Sequence, residues 1–160
     1  MSIEIRKGTP DDLPRVLALI HELAVYEKAG SEVENTVAQM EKDGFGEHPI
    51  FDFFVAQKGE AVIGTAIFFY RYSTWKGKCM YLEDLIVTES ERGQGAGKQL
   101  LDRVIKEGLD TDCTSMMWQV LDWNTPAIDF YKKHYAAIMD PEWIHCKLSR
   151  TMMEEALMLS

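Results

Sequence analysis

Tyr81-Leu-Glu-Asp-Leu-Ile-Val-Thr-Glu-Ser-Glu-Arg92-Gly-Gln-Gly-Ala-Gly97-Lys98 joins an apolar strand to a glycine-rich turn. The segment Lys98-Gln-Leu-Leu-Asp-Arg-Val then begins an amphipathic helix. Such a turn presents backbone N–H groups at the positive end of a helix, a geometry suited to a pyrophosphate. Glycine is needed because a side chain would hold the phosphates off the backbone. Two familiar phosphate motifs do not fit. A P-loop needs Gly and Ser or Thr where this chain has Arg92 and Gln99. A dinucleotide fingerprint starting at Gly93 or Gly95 needs Gly where Lys98 or Leu100 stand.

Working outward, Ile3 and Ile5 alternate with polar residues and predict a first strand. Thr9-Pro10-Asp11-Asp12 reads as a helix start, and Leu13, Val16, Leu17, Ile20, Leu23 and Ala24 form one apolar face. Thr36 with Gln39 predicts a second helix that Gly44 ends. Phe51 to Gln57 and Ala61 to Tyr72 read as antiparallel strands across Lys58-Gly59-Glu60. After a turn at Lys76-Gly77 comes the strand from Cys79 to Thr88, then the helix from Gly95 to about Gly108. Ser115 to Leu121 is the next strand. Asn124-Thr-Pro126 opens a helix through Tyr131, and Trp143 to Leu148 reads as a last strand. The order β-α-α-β-β-β-α-β-α-β predicts an α/β fold, a mixed central sheet with helices on both faces. A length of 160 residues predicts a single domain, 1–160.

Composition narrows the function. A net charge of −9 argues against nucleic acid and for cationic partners. The longest apolar stretch, Ala61 to Tyr70, is about half a membrane span. The opening residues lack an apolar signal region, so a cytoplasmic location is expected. Cys79, Cys113 and Cys146 lie far apart, which fits neither a disulfide framework nor a zinc site. His21-Glu22 lacks the second His of a zinc-protease helix, since Val25 stands there, and no metal is expected.

The glycine turn resembles motif A of the GNAT superfamily of acetyl-CoA-dependent N-acetyltransferases, whose element order this chain shares. Asp122-Trp-Asn124-Thr-Pro126-Ala-Ile-Asp-Phe130-Tyr131 resembles the superfamily's Asn-x-x-Ala-x-x-Phe-Tyr segment. Tyr26-Glu27, Glu41-Lys-Asp-Gly-Phe-Gly-Glu-His-Pro49, Trp75-x-Gly77-Lys78 and Tyr81-Leu-Glu-Asp84 narrow the likeness. They are similar to the diamine (spermidine/spermine) and thialysine acetyltransferases. The likeness runs to about residue 150.

The resemblance implies a set of roles. Arg92, Gly93, Gln94, Gly95, Ala96, Gly97 and Lys98 would hold the pyrophosphate of acetyl-CoA. Strand irregularity around Leu85, Ile86 and Val87 would open a slot for the pantetheine arm, with an N–H there polarising the acetyl carbonyl. Asn124, Pro126 and Ala127 complete the cofactor set, although Asn124 reads equally as a helix cap. Tyr131 is implied as the proton donor to the departing thiolate; its plainer reading is a core aromatic beside Phe130. Glu83 is implied as the acceptor of the amine proton. An alkyl ammonium has a pKa of about 10.4 and needs one to become nucleophilic. A salt bridge or an exposed strand face is the alternative for Glu83. Asp84 reads as its more structural neighbour. Tyr26, Glu27, Met117, Trp118 and Gln119 match positions lining the amine pocket, while Glu22 and Glu27 also suit ordinary helix surface.

The expected reaction is direct attack by a primary amine of a small cation of diamine or polyamine type, in a ternary complex. No Cys lies in the motifs to carry an acetyl group. The resemblance implies a homodimer. The alternatives are a thialysine-like or protein amine as substrate, or a non-catalytic acetyl-CoA sensor. Ser73-Thr74 stand where polyamine-preferring members carry an acid. Tyr135 stands where the superfamily has Gly after the Phe-Tyr helix, so that turn is either strained or rebuilt.

Overall fold

The structure, a computed structural model, describes residues 1–158. They form two compact units, one spanning Met1–Leu121 and one beginning at Asp122. In the first unit the elements are β1 (Ile3–Lys7), α1 (Leu13–Tyr26), α2 (Val37–Phe45), β2 (Asp52–Lys58), β3 (Ala61–Ser73), β4 (Gly77–Val87), α3 (Ala96–Asp110) and β5 (Ser115–Met117). The strands lie in chain order in one five-stranded sheet. Pairing is antiparallel from β1 to β4, and β5 joins β4 in parallel.

Alternation along β2 assigns the helices to the two faces. Phe53 and Val55 are buried with Leu13, Val16, Met40 and Ile67, so α1 and α2 cover that side. Phe54 points the other way. It stacks on Phe68 at 5.2 Å, and Arg103 of α3 lies 4.2 Å above its ring. Leu100, Leu101 and Val104 of α3 are fully buried. Gly64 is needed beneath this helix: a Cβ there would come 2.8 Å from the Ile86 carbonyl oxygen and 3.3 Å from Leu100. This is the α/β sheet, helices on both faces, that the element order predicts.

Several details of this unit differ from the sequence reading. The second helix runs past Gly44 to Phe45, because Gly44 is a packing position: a Cβ on it would lie 2.7 Å from the Phe51 ring. Thr36 caps the start, accepting from the Gln39 N–H at 3.1 Å. The expected strand from Ser115 to Leu121 is only Ser115–Met117, since its ladder with β4 covers Cys79–Tyr81 and stops. The irregularity expected around Leu85, Ile86 and Val87 lies instead at Glu83. Leu85, Ile86 and Val87 pair without interruption with Ala66, Thr65 and Gly64, whereas Phe68 pairs Leu82 and Ile67 pairs Asp84.

The second unit holds α4 (Thr125–Tyr135) and α5 (Arg150–Met158). The Asn124 side chain caps α4, accepting from the Ala127 N–H at 3.3 Å. The helix passes Tyr131 and runs through Tyr135, and the left-handed residue is Ala136 (φ 48°). The turn is therefore rebuilt one residue later, and Tyr135 stays helical. Trp143 to Leu148 forms no strand among the described residues. Trp143 and Ile144 are 75% and 87% exposed, and Asp140 organises the local backbone by accepting from the Glu142 N–H and the Trp143 indole. Adjacent exposed apolar residues lack the one-sided burial that selects a strand.

Candidate active site

The glycine turn has the conformation its sequence calls for. A 3-10 turn over Glu89–Glu91 leads from β4 to Arg92, and both Gly93 (φ 79°) and Gly95 (φ 87°) take left-handed backbone. α3 begins at Ala96 with Gly95 as its N-cap, so no side chain caps the first turn. A Cβ on Gly93 would meet nothing within 4 Å, and one on Gly95 only the Gln99 amide at 3.8 Å. Side chains at these positions would project into open space beside an uncapped helix start, which suits a pyrophosphate.

The turn is braced at both ends. Thr88 donates its hydroxyl to Glu22 at 2.8 Å, Glu22 pairs with Arg15 at 3.1 Å, and Arg15 donates to the Val62 carbonyl. Glu22 is thus a tie between α1 and β4. Lys58 donates to Glu91 at 2.7 Å and Gln94 at 3.0 Å, and Gln94 donates to Glu91 in turn. Arg92 donates from Nε to the Val87 carbonyl at 2.9 Å and stands 5.7 Å over the Tyr26 ring. Lys98 pairs with Asp102 on the exposed side of α3.

On the face covered by α1 and α2 lies a cleft of about 940 Å³. Leu17, Ile20, Met40, Phe51, Ile67 and Phe69 form its apolar walls, and Asn35, Asp43, Glu83 and Asp84 are among its polar lining. The bulge explains why two successive carboxylates face one cavity. Val87 and Met80 both contact the α3 side, beside Gly97 and Gly108 respectively. They are seven residues apart, an odd separation that unbroken alternation forbids, and the extra residue Glu83 makes the switch. Asp84 is thereby paired with Ile67 and turned toward α1. Glu83 is exposed at the cleft and Asp84 is partly buried. Burial first, then the charges of Glu83 and Glu27, push the Asp84 carboxyl up to about 7. Burial also raises Glu27, at the C-terminus of α1.

The first unit brings Glu83 to the cleft and Glu27 within electrostatic reach of Asp84. Tyr26, Met117, Trp118 and Gln119 fall outside the cleft lining, and Met117 accepts from Arg71 at 3.5 Å. In the second unit Tyr131 is buried and packs edge-on against Phe130 at 5.5 Å. Asn124 and Ala127 make the helix cap, and Pro126 occupies the first turn. Asp84, which the sequence presents as the more structural neighbour of Glu83, also lines the cleft. A carboxylate beside Glu83 in an apolar strand was a visible signal, but the bulge that aims it was not. Among the described residues no group of three or more His, Cys, Asp or Glu side chains could hold a metal ion.

Residues 17–135 match the Acetyltransferase (GNAT) family, a stretch that takes in both the glycine turn and α4. The chain belongs to that family. It is an acetyltransferase, and the family uses acetyl-CoA. Thialysine N-epsilon-acetyltransferase of Bos taurus is 37% identical over 153 residues, covering 90% of each chain. Spermidine/spermine N(1)-acetyltransferase-like protein 1 of Homo sapiens is 34% identical over 87% of this chain and 21% of its own length. Among solved structures, an integron cassette protein from the mobile metagenome of V. cholerae superposes with a TM-score of 0.78 at 23% identity, covering 98% of both chains. A soil-metagenome aminoglycoside acetyltransferase superposes at 0.76 and 19% identity, covering 92% of this chain and 97% of its own. These two likenesses concern the fold alone.

Proposed function

We propose that this acetyltransferase modifies a primary amine of a small cationic molecule, of diamine, polyamine or thialysine type, by direct attack in a ternary complex. The observation that carries the reading is the cleft in which Glu83 and Asp84 face one cavity with apolar walls. Carboxylates in a cleft with apolar walls suit an ammonium on an alkyl chain, and a net charge of −9 favours the approach of cations. The names of the relatives point the same way.

Acetyl-CoA, when bound, supplies the acetyl group as an activated thioester. Gly93, Gln94, Gly95, Ala96, Gly97 and Lys98 are proposed to bind its pyrophosphate through backbone donors and the helix terminus, with Arg92 adding charge. Leu85, Ile86, Val87, Asn124, Pro126 and Ala127 join this set on the resemblance. A carboxylate of the Glu83–Asp84 pair takes the proton that the ammonium must lose; the resemblance gives that role to Glu83. Tyr131, also on the resemblance, returns a proton to the leaving sulfur. Tyr26, Glu27, Met117, Trp118 and Gln119 are proposed to contact the amine. A single acetyltransferase domain in the cytoplasm completes the reading, on the length and the opening residues, and the homodimer rests on the resemblance.

The test is a panel of amines incubated with acetyl-CoA while free thiol is measured. Turnover of small diamines, polyamines or thialysine is the expected result. Turnover of a protein lysine or N-terminus with no small amine accepted would overturn the substrate class.

A further inference from the structure

Gly93 and Gly95 give the turn its left-handed backbone, and the same freedom opens other shapes to it. Neither position is packed: a Cβ on Gly93 would meet nothing within 4 Å, and one on Gly95 only the Gln99 amide at 3.8 Å. The residue between them is tied down instead. Gln94 accepts from the Lys58 ammonium at 3.0 Å and donates to Glu91 at 3.0 Å, while Lys58 donates to Glu91 at 2.7 Å. The three side chains close a ring. Lys58 anchors it firmly, as the last residue of β2, paired with Ile3 of β1 on one side and Ala61 of β3 on the other. We propose that Lys58 is a positioning residue for acetyl-CoA: through Glu91 and Gln94 it holds residues 93–95 in the shape that receives the pyrophosphate. This rests on the reading of the turn as the pyrophosphate site.

The geometry disfavours a direct contact from Lys58 to the phosphates. Its ammonium is partly buried and already has two acceptors, one of them a carboxylate. The Lys58 hydrogen bond, and then that of Gln94, holds the Glu91 carboxyl below the usual carboxylate range. An ammonium matched by a carboxylate offers a phosphate little net attraction. As a brace the same ring is effective. Glycine loses more backbone freedom on ordering than any other residue, and this turn must order two of them. Where the competent shape is only partly populated, the apparent dissociation constant rises in inverse proportion to that fraction. Tying Gln94 to the sheet raises the fraction before the cofactor arrives and lowers the cost of binding. Once acetyl-CoA saturates the enzyme, every turn has that shape. The ring therefore acts on cofactor affinity and leaves the acetyl-transfer step alone.

The test is calorimetry of coenzyme A binding on folded protein, with steady-state kinetics in acetyl-CoA alongside. Lys58→Met keeps the stem and removes the ammonium. It should weaken coenzyme A binding roughly two- to tenfold and raise KM for acetyl-CoA. Its kcat at saturating acetyl-CoA and its melting temperature should stay near wild type, and Lys58→Arg should restore most of the affinity. KM for S-acetylpantetheine, which has the thioester arm and no pyrophosphate, should be the same in Lys58→Met and wild type. Glu91→Ala separates a brace from a direct ligand, because it opens the ring and also removes a negative charge. The brace predicts weaker coenzyme A binding in this variant, and a direct phosphate contact from Lys58 predicts tighter. Lys58→Met and Gln94→Ala should be non-additive in a double-mutant cycle, since either alone opens the ring. Tighter binding in Glu91→Ala, full additivity in the cycle, or an equal loss with S-acetylpantetheine would each overturn the proposal. So would unchanged coenzyme A affinity in Lys58→Met beside a clear loss in Gly95→Asp. No loss in either variant would instead count against the turn as the pyrophosphate site.

Discussion

Burial and two neighbouring carboxylates leave Asp84 easier to protonate in the folded chain than in the unfolded one. The sign of the linkage follows. A carboxyl raised from 3.8 to about 7 binds its proton more tightly when folded. Its favourable contribution is fully present below the unfolded value and is lost as pH rises through about 7. Asparagine resembles the protonated acid in shape and cannot ionise. Asp84→Asn should therefore match the wild-type melting temperature at acid pH and exceed it at pH 8, by a free energy of up to ~4 kcal/mol. Thermal melts across pH check this, and an equal deficit at every pH would contradict it. Tyr131 calls for a different substitution. Its ring is buried against Phe130, so Tyr131→Phe preserves packing and removes only the hydroxyl. With Tyr131 as the proton donor, kcat should fall about 10²–10⁴-fold while the melting temperature and acetyl-CoA affinity stay near wild type. Near-normal kcat would leave Tyr131 as a core aromatic.

Among the elements, the turn from Arg92 to Ala96 is the most exposed to a single change. Gly95 has φ 87° and opens α3. An aspartate there would be strained and would set a negative charge at the site proposed for the pyrophosphate. Gly95→Asp should weaken coenzyme A binding at least tenfold in calorimetry on folded protein, and equal affinity would sink the assignment of this turn. The turn was legible in the sequence because glycine spacing reports directly on backbone conformation. The strands and most helices were legible too, since period and caps are local signals. The bulge was not: Leu-Glu-Asp-Leu reads as unbroken strand until the pairing of Phe68 with Leu82 and Ile67 with Asp84 reveals the extra residue. Gly44 misled for a related reason. A glycine near a helix end reads as a stop, whereas this one makes room for Phe51. Trp143 to Leu148 looked like a strand by composition, yet a strand also needs a ladder partner, which the residue types do not reveal.

At the scale of the whole molecule, a net charge of −9 and a cleft carrying Asp43, Glu83 and Asp84 favour the approach and retention of cations. Apolar residues line the same cleft, and the proposed substrate is an alkyl chain that carries a second cation. An isosteric monoamine with a neutral tail forgoes that contact. Losing a hydrogen bond to a charged group typically costs about 1.5–3 kcal/mol, or roughly ten- to a hundredfold in kcat/KM. The most direct measurement is kcat/KM for a diamine and its neutral-tailed isostere under the same conditions, followed by thiol release from acetyl-CoA. A diamine preference of that size is the expected result. Equal kcat/KM for the two amines, in enzyme that binds acetyl-CoA and turns both over, would contradict it.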